Sequence, residues 1–154
     1  MEELREFIPF AFEVWIMDDQ QRVLCKGAFS EVSGLEASMT PKTVKEGGRN
    51  WGEVQLAGPV VFQPVVLKRG VTDLGDLWRW FDAVNRQANY GLRYSARIDV
   101  YHNDSTRSEP VLRWTLTNVL PIKFKGPDLS STANQVAIEE LHLVHEDLSL
   151  ERPR

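Results

Sequence analysis

Apolar and polar residues alternate with a period of two through most of the chain and switch to a three-and-four spacing in one place. Phe10, Phe12, Val14 and Ile16 alternate with Ala11, Glu13, Trp15 and Met17, the mark of a strand. Asp18-Asp19-Gln20-Gln21 is a turn, and Arg22–Phe29 resumes as a strand, so the pair predicts a hairpin. A bend at Gly34 leads into Glu36–Val44, a strand of mixed polarity. Val54–Leu56 and Val60–Leu67 are apolar and rich in β-branched residues. Pro64 lacks an N–H and so belongs at an edge or bulge. Further on, Leu92–His102 and Val111–Asn118 alternate again, with Tyr94, Ala96, Ile98 and Val100 on one face and Leu112, Trp114 and Leu116 on another. Val119–Lys125 is a further extended piece. Val136–His145 is the last long strand, and its polarity is mixed on both faces: Val136, Ile138 and Val144 share a side with Glu140 and His142. A strand at an assembly surface tolerates that mixture; a fully buried one does not.

The three-and-four spacing lies between residues 68 and 91. Leu74, Leu77, Phe81, Val84 and Ala88 line one face, which predicts a helix over about residues 72–89. Thr72 serves as N-cap, Asp73 and Asp76 complement the dipole in the first turn, and Asn89 or Gly91 closes the end. Asp82 precedes Arg86 by one turn, the favourable order for an ion pair. Trp78 and Trp80 fall on the two rims of the stripe, and Leu74, Leu77, Trp78, Phe81 and Val84 form the expected helix core. A mainly β chain with one helix predicts a β-sandwich or barrel whose helix covers an open end or face.

A length of 154 residues fits a single domain spanning 1–154, with polar, frayed ends at 1–6 and 151–154. Hydrophobic residues make up 42%, enough for a sizeable core. The net charge of −4 gives no general attraction to nucleic acid. No run is long and apolar enough for a membrane span, so no membrane anchoring is expected, nor is a secretory signal read at the start. Cys25 is alone, so no intramolecular disulfide forms, which fits synthesis in the cytosol.

Candidate chemistry is sparse. His142 and His145 lie near Glu139, Glu140 and Glu146, but their odd spacing sends the two rings to opposite faces of a strand, so no metal is expected. An enzyme using His142 with Glu139 or Glu140 has no geometry behind it. Cys25 reads as a small apolar strand residue. Gly47-Gly48 lacks the following Lys-Ser/Thr of a phosphate loop, and no Gly-x-Ser-x-Gly elbow occurs. Neither catalysis nor a cofactor is expected. The loop Lys45–Glu53 is longer than the two to five residues, roughly, that an ordinary hairpin needs.

Six stretches in order resemble a known family. They are Phe29-Ser30-Glu31-Val32-Ser33-Gly34-Leu35, then Glu46-Gly47-Gly48-Arg49-Asn50, then Leu67-Lys68-Arg69-Gly70-Val71-Thr72 with Leu77-Trp78-Arg79-Trp80. Next come Pro110-Val111-Leu112-Arg113-Trp114, Gly126-Pro127-Asp128-Leu129, and Asn134-Gln135-Val136-Ala137-Ile138-Glu139 with His145-Glu146. Together they resemble the inner tail tube protein of contractile phage tails and contractile injection systems, a family related to the ring protein of type VI secretion. Gly58-Pro59-Val60-Val61-Phe62-Gln63-Pro64 departs from the pattern, where the family has a more polar run.

The resemblance implies two packed antiparallel sheets forming a barrel-like sandwich with one flanking helix. It implies hexameric rings that stack into a hollow conduit for DNA or protein cargo, passed without sequence-specific recognition. A contractile sheath would drive the tube, with baseplate, spike and tube-terminating proteins as further partners. Assembly would take place in the bacterial cytoplasm, as part of a phage tail or an injection particle. It also implies that the long loop, Lys45, Glu46, Gly47, Gly48, Arg49, Asn50 and Trp51, reaches a subunit of the adjacent ring. There Glu46 and Arg49 would supply paired charges and Trp51 an apolar anchor. The competing expectation is a monomeric β-barrel that binds a small apolar ligand, but Glu140 and His142 break the continuous apolar face such a barrel needs on its last strand.

Overall fold

The computed structural model describes residues 11–45, 47–48, 52–72, 74–86, 93–101, 109–132 and 136–152. In chain order the strands are β1 (Ala11–Asp18), β2 (Val23–Ala28), β3 (Glu31–Ser33), β4 (Ala37–Met39), β5 (Lys42–Val44), β6 (Val54–Leu56), β7 (Val60–Phe62) and β8 (Val65–Gly70). The helix α1 (Asp76–Asn85) follows, then β9 (Tyr94–Tyr101), β10 (Leu112–Thr117), β11 (Leu120–Lys125), β12 (Ile138–Val144) and β13 (Asp147–Glu151). Two antiparallel sheets carry the body: one of five strands in the order β13-β10-β9-β1-β2, one of four in the order β11-β12-β8-β3. The mainly β sandwich with one helix is therefore present, although the sheets do not close into a barrel. The chain crosses between sheets at Asn118, which adopts a left-handed φ of 54°, and at His145-Glu146. Asn118 Nδ2 donates to Glu146 Oε2 at 2.6 Å and ties those two corners together.

The core follows the period-two faces. Val14, Ile16, Tyr94, Ala96, Ile98 and Leu116 point inward from the larger sheet; Val65, Leu67, Leu141 and Leu143 meet them from the smaller. The space a ligand barrel would leave open is filled by these side chains. The helix lies against β2 and β11, the edge strands of the two sheets, and so closes one side of the sandwich.

The helix differs from expectation at its start, its end and its buried face: it ends at Asn85, with Arg86 as C-cap, and the expected closing residues Asn89 and Gly91 lie outside the described residues. It starts at Asp76, not near Thr72, because Gly75 adopts a left-handed φ of 59° immediately before it. Thr72 Oγ1 accepts the Leu74 N–H in a local turn instead of capping. Leu77, Trp80 and Val84 are the buried residues, Phe81 is half-buried, and Leu74 and Trp78 are 60% and 42% exposed. Trp80, at 4%, takes the core place expected of Trp78, its ring edge-on to Tyr94 at 5.4 Å. The Asp82–Arg86 pair forms at 2.9 Å.

Two further differences concern strands. Glu36–Val44 is two short strands, broken at Thr40-Pro41, where proline removes a ladder donor. Asp147–Glu151 is a strand paired with β10, so Glu151 is held opposite Arg113 and is not a frayed end. Its signal was the alternation of Leu148 and Leu150 with Asp147, Ser149 and Glu151.

Arg69 joins the layers. It points inward from β8, is 3% exposed, and donates Nε–H to Glu139 Oε1 at 2.7 Å and Nη2–H to Asp76 Oδ1 at the start of the helix. Its guanidinium lies 5.2 Å from the Phe29 ring. Burial alone pulls its pKa down, yet the hydrogen bonds to Asp76 and Glu139 outweigh that and hold it above the ordinary arginine value. Glu139 is thus an interior ion-pair partner, on the opposite face of β12 from His142.

Two stability outcomes follow. Trp80→Ala should cost ~3–5 kcal/mol by denaturant unfolding, as a large buried aromatic does, and Trp78→Ala distinctly less; the reverse order would mean that the helix is rotated about its axis. Arg69→Ala should cost about 3–5 kcal/mol because it strands buried carboxylates, whereas Arg69→Met with Glu139→Leu should recover much of that loss. Equal losses in the single and double variants would show that packing, not charge, dominates at Arg69.

Candidate assembly surface

Between β3 and β8 the chain leaves the body as a two-stranded ribbon. Ala37, Ser38 and Met39 pair with Phe62, Val61 and Val60; further out Lys42, Thr43 and Val44 pair with Leu56, Gln55 and Val54. The ribbon packs chiefly on itself. Its root is fixed by backbone: Gly34 has a φ of +90°, and a Cβ there would come within 2.1 Å of the Pro64 carbonyl oxygen. Gln63 N donates to Glu36 O at 3.3 Å across the root, and the Phe62 ring sits 5.2 Å from the buried His145 ring. His145 Nδ1 lies 3.1 Å from Asp147 O, which seats the imidazole at the crossing from β12 to β13. Midway along, Gly58 leaves room for the Thr40 carbonyl, and its N–H faces Met39 Sδ at 3.2 Å.

The long loop forms the tip of this ribbon. Lys45, Gly47 and Gly48 are exposed, and Gly48 has a φ of +84° with open space around it. Glu46, Arg49, Asn50 and Trp51 lie outside the described residues. Sequence reasoning foresaw a long loop between strands but not an arm carrying it.

The outward face of the four-stranded sheet is the second distinctive surface. Glu140 is its hub: Lys68 Nζ, Lys125 Nζ and His142 Nε2 stand 3.9, 3.7 and 3.5 Å from its carboxylate, and Lys68 also reaches Glu31 at 3.6 Å. Glu31, Lys68, Lys125 and Glu140 border a groove of about 550 Å³ that Gly126, Leu129 and Ser130 also line. Lysines and carboxylates alternate and offset one another, so the face is polar without a strong field of either sign. Cys25 is inert by comparison: burial pushes its thiol up to about 12, and Sγ rests 3.4 Å from the Asp76 carbonyl oxygen.

Fold and surface together define a structural β-sandwich subunit that displays an arm and a salt-bridged sheet face. Residues 8–149 match the family described as T4-like virus tail tube protein gp19, and the chain belongs to that family. No curated protein matches it by sequence. Among solved structures, a chain from the anti-feeding prophage baseplate is 27% identical, with 97% of this chain and 98% of that one covered at a TM-score of 0.81. A chain from the sheath–tube complex of an extracellular contractile injection system, PVC, in the extended state is 21% identical over 96% of this chain and 92% of that one, TM-score 0.78. An Hcp protein shares the fold at 10% identity over 94% and 92%, TM-score 0.59. The chain is a tail tube subunit, a structural protein of contractile tails and injection systems.

The ribbon's root gives a direct test. Gly34→Ala should destabilise the subunit by at least ~1–3 kcal/mol, because it combines a left-handed backbone with a carbonyl clash. Unchanged unfolding in denaturant would mean that the root relaxes without strain.

Proposed function

We propose that the chain closes into rings, six subunits in each, and that the rings stack into a hollow tube. The observation that carries this is the ribbon: an exposed arm, ending in a long glycine-containing loop, on a body whose sheets keep unpaired edges among the described residues. A two-stranded ribbon is at best marginal by itself in water, and free edges invite pairing. Contacts between identical copies answer both conditions, and head-to-tail contacts that close by rotation give rings. The outward face around Glu140 lines the conduit, where balanced charge lets protein or DNA cargo slide without sequence recognition. The tube's work is mechanical, not catalytic. A sheath surrounds and drives it, a baseplate and spike start it, a terminator caps it, and assembly proceeds in the bacterial cytoplasm. Family membership and the neighbouring sheath–tube, baseplate and tube-terminator structures support this reading.

The tip loop, Lys45 to Trp51, crosses to the adjacent ring. Replacing Glu46–Asn50 with a short Gly-Ser turn should leave a folded subunit and single rings but no tubes in electron micrographs. Reversing charge at both Glu46 and Arg49 should weaken stacking less, since exposed ion pairs contribute at most ~1 kcal/mol each. Tubes of normal length from the loop-replaced protein would remove the loop from the mechanism.

A further inference from the structure

A cleft on the helix side of the sandwich takes no part in the ribbon or in the Glu140 face. It has a volume of about 360 Å³ and opens between the β1–β2 turn and the first turns of α1. That lies within the ~300–1,000 Å³ of small-molecule sites. Its apolar walls are the rings of Trp80 and Tyr94, 4% and 5% exposed, with Leu24 and Ala83 beside them. The two rings pack edge to face, so this wall is preformed.

Asp18, Asp76, Arg22 and Arg79 also line the cleft, and their hydrogen-bonding capacity is unequally used. Asp18 is spent: Oδ1 accepts the Gln20 and Arg22 backbone N–H groups, and Oδ2 accepts Arg22 Nε–H at 2.9 Å. Asp76 is spent as well, on the buried Arg69 and on the Leu77 N–H. Arg22 gives its side-chain Nε–H to Asp18, and Arg79 gives Nη2–H to the Leu74 carbonyl. A guanidinium carries several further donors in its planar fork. Trp80 Nε1 is buried with no acceptor in hydrogen-bonding geometry. The capacity left over in the cleft is therefore donor capacity. Charge points the same way. Asp18 offsets Arg22 and Asp76 offsets Arg69, so among the described residues Arg79 is the cation of the cleft that has no carboxylate of its own.

We propose that this cleft binds a small monocarboxylic acid with a flat apolar body, of the size of benzoate. The carboxylate takes the fork of Arg79 at the mouth, since charge-assisted pairs of guanidinium and carboxylate are the strong ones. The apolar body lies on Trp80 and Tyr94, between Leu24 and Ala83, where burial of its ring drives association. An alcohol or amine of the same shape fills the walls but leaves Arg79 without its anion. The site is complete within one chain and stands independently of ring and tube assembly.

The test titrates the full-length subunit with benzoate, benzyl alcohol and benzylamine and follows the backbone and indole N–H resonances by NMR. Saturable shifts at Arg79, Trp80 and Ala83 with benzoate are the expected result, with the alcohol and the amine at least about tenfold weaker because they forgo the charged hydrogen bonds. Arg79 is exposed, so Arg79→Gln should keep the natural melting temperature while weakening benzoate about tenfold. Ala83→Phe fills the cleft and should abolish binding. If that variant fails to fold, Arg79→Gln and the two analogues still decide the matter. Shifts that rise without saturation, equal affinity for benzyl alcohol, or unchanged benzoate binding by Arg79→Gln would each overturn the proposal.

Discussion

The buried guanidinium of Arg69 is the interaction on which the layers depend. It leaves β8 on the core side, takes Glu139 from β12 and Asp76 from the start of the helix, and lies beside Phe29 after β2. A charge so deep is tolerable only because both carboxylates are in place and hydrogen-bonded. The ion pairs therefore do more for geometry than for net stability. They tie the start of the helix, set by Gly75, to β8, and hold Glu139's side of β12 toward the core. With Glu139 held inside, Glu140 and His142 must face outward, and the salt-bridged sheet face follows from that alternation.

The same body leaves its other resources at the periphery. Gly34 turns the chain away from the sandwich, and Phe62 against His145 anchors the departing ribbon. Beyond that root the ribbon buries little, and Met39, Leu56, Val60 and Val61, like Leu74 before the helix and Trp78 on it, are exposed in a single subunit. Such surfaces are a hazard to a monomer and an asset to a chain that works in many copies. The stretch Gly58–Pro64, where a more polar run was expected, falls within this ribbon, and there Val60 and Val61 face solvent.

The sequence by itself determined the class of the fold. Alternation in Val14 and Ile16, in Tyr94, Ala96 and Ile98, and around Leu116 identified inward faces, because side chains of a strand alternate whatever the strand packs against. Gly34 as a bend and Pro64 as an interruption were legible for the same local reason: each restricts the backbone on its own. The mixed polarity of Val136–His145 and the length of the loop after Val44 pointed to an assembling surface before any contact was known. The tertiary structure alone decided the rest. The helix stripe was wide enough to admit either Trp78 or Trp80 to the core, and only the position of β2, β11 and Tyr94 selected Trp80. Glu139 read as one more polar residue of a mixed strand because nothing local reveals that Arg69, seventy residues earlier, supplies its counter-charge. The ribbon was hidden too, since pairing Ala37 with Phe62 and Val44 with Val54 is a matter of register between distant segments, and register is fixed by partners that no single stretch contains.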